Sequence, residues 1–172
     1  MPDETKASGP QAASLGAILA TRRAEASRGA QEATGLDEAV LERLVRAFYA
    51  TARRDPAIGP LFRGIEDWER HIARIHDFWS SVALKTGRYH GQPMAAHAPL
   101  GLRPEHFARW LALFEQTARE VCTAEAADYL LERARRIAIS LEHGVAFQRG
   151  ELPRPMAAPG HILAASETRT IP

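Results

Sequence analysis

Four times between Asp37 and Gln148 apolar side chains return every three or four positions, and almost no run alternates as a strand would. The first stripe is Leu41, Leu44, Val45, Phe48, Tyr49 and Ala52; it follows Asp37, a good N-cap, and stops at Asp55-Pro56. The residue before a proline is pushed away from helical dihedrals. The second stripe runs from about Glu66 to Lys85, with Trp68, His71, Ile72, Ile75, Phe78, Trp79 and Val82 on one face, and Gly87 ends it. Pro104 suits a first helical position and opens the third, with Phe107, Trp110, Leu111, Phe114 and Ala118 inward. The fourth extends from near Thr123 to Gln148 through Ala127, Leu130, Leu131, Ala134, Ile137, Ala138, Leu141 and Val145. Four helices of this kind predict an all-α domain. Between the second and third lie the 16 residues Arg88–Arg103, carrying Gly91, Pro93, Pro99 and Gly101. A connection that long in a compact domain is uncommon and often functional.

The flanks read differently. Residues 1–35 are rich in Ala, Ser, Gly, Gln and Thr, with few apolar anchors beyond Leu15, Ile18 and Leu19. They are expected to form a disordered N-terminal tail, with room for a short helix near Leu15–Ala26 that nothing obliges to pack. Residues 151–172, with Pro153, Pro155, Pro159 and Gly160, are expected to form a flexible C-terminal tail. The folded body is therefore placed at residues 36–150. Over the whole chain the charges nearly cancel, with 22 Lys and Arg against 21 Asp and Glu for a net +1, so no footprint for nucleic acid stands out. One cysteine, Cys122, excludes an internal disulfide framework. No apolar run reaches the roughly 18 residues of a membrane span. The N-terminus lacks the pattern of a secretory signal, and a cytoplasmic protein is expected.

Several side chains could carry chemistry. His71 sits amid an aromatic and aliphatic stripe, where an imidazole without a partner costs a few kcal/mol. Taken alone it fits equally a half-exposed histidine or one satisfied by a carbonyl. His97 lies in the long connection between small residues, in Met94-Ala95-Ala96-His97-Ala98-Pro99-Leu100, which would let a planar group approach the backbone. Imidazole is a common ligand for iron, haem iron included, yet a solvated loop histidine has the same local sequence. Tyr49 and Trp110 fall on inward stripes and could be ordinary core. With His71 they would bring three donors from three helices around a small polar guest. No zinc-protease helix, cysteine cluster, P-loop or dinucleotide fingerprint is present.

A longer pattern joins these pieces. Ala47-Phe48-Tyr49 precedes Arg54-Asp55-Pro56-Ala57-Ile58-Gly59-Pro60-Leu61-Phe62, then Trp68-Glu69-Arg70-His71 and Asp77-Phe78-Trp79-Ser80. Gly87-Arg88-Tyr89-His90-Gly91-Gln92-Pro93 and His97 follow, then Glu105-His106-Phe107-Ala108-Arg109-Trp110-Leu111-Ala112-Leu113-Phe114. Arg133-Ala134-Arg135-Arg136-Ile137-Ala138 with Ser140-Leu141 closes the series. In this order, from about Asp37 to Arg149, the blocks resemble the truncated haemoglobins, specifically their third group.

The resemblance implies a two-over-two helical sandwich enclosing non-covalent haem b. It makes His97 the proximal iron ligand and sets Tyr49, His71 and Trp110 on the distal side. Ile75 and Phe78 would be apolar wall, Phe62 the aromatic packed on the porphyrin and Trp79 a further pocket aromatic. Arg74 would pair with a propionate, though a solvated surface arginine fits that position as well. The implied ligands are O2, NO and CO. The implied use is NO/O2 redox chemistry, converting NO to nitrate with a separate, unidentified reductase. A gas sensor or carrier without turnover, and a peroxidase-like activity, are the alternatives.

Overall fold

The computed structural model describes residues 10–151, with side chains from residue 15 onward. Helices α1 (Pro10–Thr34), α2 (Glu38–Ala52), α3 (Trp68–Ala83), α4 (Pro93–His97), α5 (Pro104–Val121) and α6 (Ala124–Gln148) follow in order, and no strand occurs among the described residues. Short 3-10 turns at Gly59–Phe62 and Ala98–Leu100 complete the path. Helix α2 packs on α3 and on α5, and α5 packs on α6, so two helical pairs lie one over the other. The C-terminal expectation for residues 151–172 falls, apart from Glu151, outside the described residues.

The helix starts follow from the sequence chemistry. Asp37 accepts the Val40 N–H at 2.7 Å, Asp67 the Arg70 N–H at 2.9 Å, and Thr123 the Ala126 N–H at 3.2 Å. The Asp67 cap puts the start of α3 at Trp68, two residues later than the periodicity predicts. The inward stripe of α2 is fully buried as read. On α5, Leu113 and Thr117 are buried as well; Thr117 escapes an apolar pattern because its hydroxyl donates to the Leu113 carbonyl at 2.8 Å.

Two segments differ from expectation. Residues 10–34 form a helix where a disordered tail was expected. Alanine has the highest helix propensity and needs no packing to supply it, which a search for apolar anchors overlooks. Leu15, Ile18 and Leu19 remain 59%, 48% and 45% exposed in turn. The far end of α1 is tied down: the Thr34 carbonyl accepts from the Thr123 hydroxyl at 3.1 Å, and Leu36 beyond it is fully buried. The long connection is likewise not structureless. It holds α4, a single turn begun by Pro93, too short to register as periodicity.

Polar contacts fix the joints between elements. The Asp55 carboxylate, almost fully buried, accepts the Ala57 and Ile58 N–H groups at 3.0 and 3.2 Å. It also accepts two N–H groups of Arg109, at 2.8 and 2.7 Å, fastening the turn after α2 to α5. On the other side of α3, Ser80 donates to Glu38 at 2.8 Å and His76 lies 3.1 Å from the same carboxylate.

Asp55 generates a test. The Arg109 hydrogen bond, helped by the two backbone donors, holds its carboxyl below the usual range. The stabilisation is therefore complete above the unfolded value near pH 4 and declines as pH falls through the lower folded value. Urea unfolding of Asp55→Ala at pH 7 should show a loss of about 1.5–3 kcal/mol. The gap to the parent chain should narrow as pH drops below about 4.

Candidate functional site

The apolar core is divided. One cluster, centred on Phe48, Trp79 and Phe114, joins α2, α3, α5 and α6; a smaller one unites Leu102, Phe107, Ala138 and Val145. Between them lies a cavity of about 400 Å³ walled by residues of both clusters. All nine residues singled out from the sequence line it: Tyr49, Phe62, His71, Arg74, Ile75, Phe78, Trp79, His97 and Trp110.

Aromatic packing sets the wall on the α5 side. Trp79 stacks on Phe114 at 4.8 Å between centroids, and Trp110 stacks on the same ring at 5.1 Å. Phe48 meets Trp110 edge-on at 5.6 Å. On the α3 side the Tyr49 ring meets His71 edge-to-face at 4.9 Å and Phe62 at 5.5 Å. Tyr49 is 8% exposed, and burial pushes its hydroxyl far above the usual range, so it remains an O–H donor at any ordinary pH.

Each cavity histidine has its own electrostatic setting. His71 Nε2 is buried with no hydrogen-bond partner. Burial, with the nearby positive charge of Arg74 and the His97 ring, lowers its pKa, so the ring stays neutral. His97 Nδ1 lies 2.7 Å from the Pro93 carbonyl. A carbonyl can only accept, so Nδ1 carries the proton and Nε2 is left with its lone pair, as in a metal-ligating histidine. His106, at the start of α5, shows the reverse: its Nδ1 accepts the Arg103 N–H at 3.0 Å, which leaves the proton on Nε2.

Sequence reading gave no role to His106 or Tyr89, both of which line the cavity. Tyr89 meets Phe78 edge-on at 5.2 Å, and the Arg74 guanidinium lies 6.0 Å from its ring centre. Gly91 closes that corner: a Cβ there would stand 2.5 Å from Tyr89 Cζ and 2.9 Å from Arg74 Nη2. A glycine two residues after an aromatic in the connection was the available signal. Gly144 similarly makes room on α6 for Met94 of α4, whose Sδ would lie 2.8 Å from an added Cβ. That notch seats the turn that carries His97. No cluster of three or more His, Cys, Asp or Glu able to hold a bare metal ion occurs among the described residues. The site instead offers a free imidazole lone pair on His97, a largely apolar lining, the neutral donors Tyr49 and Trp110, and the exposed Arg74. Those residues fit a planar apolar group that bears a metal and an anionic edge.

Comparison with known proteins adds the following. The family model described as bacterial-like globin matches residues 30–142. The group 3 truncated hemoglobin ctb of Campylobacter jejuni is 34% identical over 109 residues, spanning 60% of this chain and 86% of that protein. The crystal structure of the group III truncated hemoglobin from Campylobacter jejuni superposes with a TM-score of 0.59 at 33% identity, covering 64% of this chain and 91% of that one. The group II truncated hemoglobin from Bacillus anthracis gives 0.57 at 24% identity, covering 65% and 88%, a likeness of fold.

His71 gives the test of these electrostatics. Its folded pKa lies below the unfolded value of about 6.5, so the unfolded chain takes up the proton first as pH falls. The native state should lose stability from about pH 6.5 downward on this account. Urea titrations of the parent and His71→Leu should show their difference shifting against the parent over that range. A difference independent of pH would mean that the ring is already solvated.

Proposed function

Since the chain belongs to the bacterial-like globin family and is of the truncated haemoglobin kind, we propose that its cavity holds haem b without a covalent link and binds diatomic gases. The observation that carries this reading is the His97 Nδ1–H donated to the Pro93 carbonyl, which presets Nε2 as a ligand. Bound haem would supply a reducible iron able to take a small gas. His97 is the proximal ligand in this proposal, and Arg74 pairs with a propionate. Phe62, Ile75, Phe78 and Trp79 enclose the faces of the ring and keep water out. Tyr49 donates its hydroxyl hydrogen to the guest, and Trp110 its indole N–H. His71, neutral and unpartnered, adjusts that donor set. The working unit is assigned to residues 36–150.

Donors aimed at a guest that gathers negative charge favour retention of O2 over its delivery. The finer reading is therefore oxidation of NO: one NO and one O2 yield one nitrate, and the balancing electron comes from a separate reductase. Absorption spectra of the ferric, ferrous and CO-bound protein, followed by mixing of the oxygenated form with NO, test it. Rapid, stoichiometric nitrate supports the reading. Slow or absent nitrate favours a carrier or sensor.

Two substitutions examine the residues. His97→Ala should abolish stable haem binding, whereas His71→Ala should leave the protein loaded, both read from the Soret band after gel filtration. The reverse outcome removes the proximal assignment. Tyr49→Phe keeps the ring packing and removes the hydroxyl alone. Loss of one hydrogen bond to a partly charged oxygen is worth about 1.5–3 kcal/mol, so O2 release should quicken roughly tenfold to a hundredfold, with CO release changing much less. Combining it with Trp110→Phe guards against compensation between donors.

A further inference from the structure

Beside the cavity lies a second, open groove that the gas-binding reading does not use. Arg53, Arg54 and Arg63 line it with Phe62 and Trp68, and no carboxylate does. None of the three arginines enters an ion pair among the described residues. Arg46, about two turns earlier, is by contrast committed to Glu42 and Glu69 at 3.0 and 2.9 Å. Asp67, next to Trp68 in the chain, spends its carboxylate on the Arg70 N–H. In a chain with a net charge of only +1, three unneutralised guanidinium groups around one groove are a local departure from balance.

The groove also has a floor and a direction. Gly59 lets the turn lie close under Arg53, since a Cβ there would be 2.8 Å from the Arg53 carbonyl oxygen. The Arg53 guanidinium rests over Trp68, 5.3 Å from the ring centre, which holds its charge in place. Trp68 in turn meets His71 at 5.8 Å and Tyr49 at 6.0 Å, and Phe62 belongs to the walls of both groove and cavity. An aromatic bridge thus runs from the basic rim to the site. Arginine with tryptophan and phenylalanine is also the composition enriched at protein interfaces.

From this we infer that the groove is the docking surface for an acidic one-electron carrier protein. The inference rests on the haem reading above, because the carrier's task is to restore the ferrous state. One electron leaves the reduced carrier and converts ferric iron in the cavity to ferrous; no bond forms or breaks and no proton transfer is needed. Carboxylates on the carrier meet the three guanidinium groups, and complementary charge raises the encounter rate.

The test uses the full ferric holoprotein and reduced flavodoxin, an acidic carrier, mixed without oxygen and with CO present to report ferrous iron. At about 0.01 M ionic strength the triple variant Arg53→Gln, Arg54→Gln, Arg63→Gln should be reduced at least tenfold more slowly than the parent. Raising the ionic strength to about 0.3 M should slow the parent steeply and the variant little. Arg54→Gln with Arg63→Gln leaves the Arg53–Trp68 contact intact and should show an intermediate effect if the triple variant folds poorly. Arg22→Gln with Arg28→Gln, on α1, should leave the rate unchanged. Equal rates and salt slopes in parent and groove variants overturn the inference, as does an equal slowing by the α1 changes. Saturation of the groove by nitrate without any effect on reduction also overturns it, in favour of a small-anion site. Absence of haem from the purified protein instead removes the reading on which it rests.

Discussion

The arrangement hinges on a gap that the side chains leave open. Protein interiors close-pack, and an empty apolar volume costs on the order of 24 cal/mol per Å³. A cavity of about 400 Å³ forgoes the contacts that its lining would otherwise make with protein atoms. Leu61 and Leu111 touch both halves of the divided core, yet neither fills the space between. The stacked Trp79, Phe114 and Trp110 rings prop the α5 side, while α4 is seated on α6 by Met94.

Polar atoms inside the gap are few, and backbone groups decide their protonation. The Pro93 carbonyl gives His97 a free lone pair, while the Arg103 N–H gives His106 a free proton. Burial keeps Tyr49 protonated and His71 uncharged. The result is an imidazole lone pair left free on His97, several neutral donors and a single cation, Arg74, among the lining residues. That division of labour suits a guest with a metal centre, an apolar disc and an anionic rim, and suits a phosphate or a bare cation badly.

Much of this was legible in the residues, for identifiable reasons. The helices α2, α3, α5 and α6 announce themselves because burial on one side imposes a 3.6-residue period over many turns. Helix α4 does not, since five residues cannot display a period, and Pro93, which has no N–H, marks only where it starts. Helix α1 was hidden for the opposite reason: its stability comes from alanine backbone preference, which leaves no apolar pattern. At the site, the residue types of Tyr49, His71, His97 and Trp110 pointed to the chemistry, but which nitrogen of His97 is free depends on a carbonyl that sequence alone cannot orient. His106 and Tyr89 went unassigned because their significance lies in neighbours distant in the chain or in the geometry of Gly91.

The one-ended attachment of α1 changes how the molecule comes apart. Its 25 residues reach about 37 Å at 1.5 Å per residue, as long as a small domain is wide. Residues 15–26 are exposed throughout, whereas Thr34 and Leu36 are clamped against the body. Such a helix can unzip toward its anchor without disturbing a single cavity contact. Heating should then melt the molecule in two stages, with far-ultraviolet ellipticity falling before the near-ultraviolet signal of the stacked tryptophans. A single all-or-none transition therefore describes the cavity and not the whole chain.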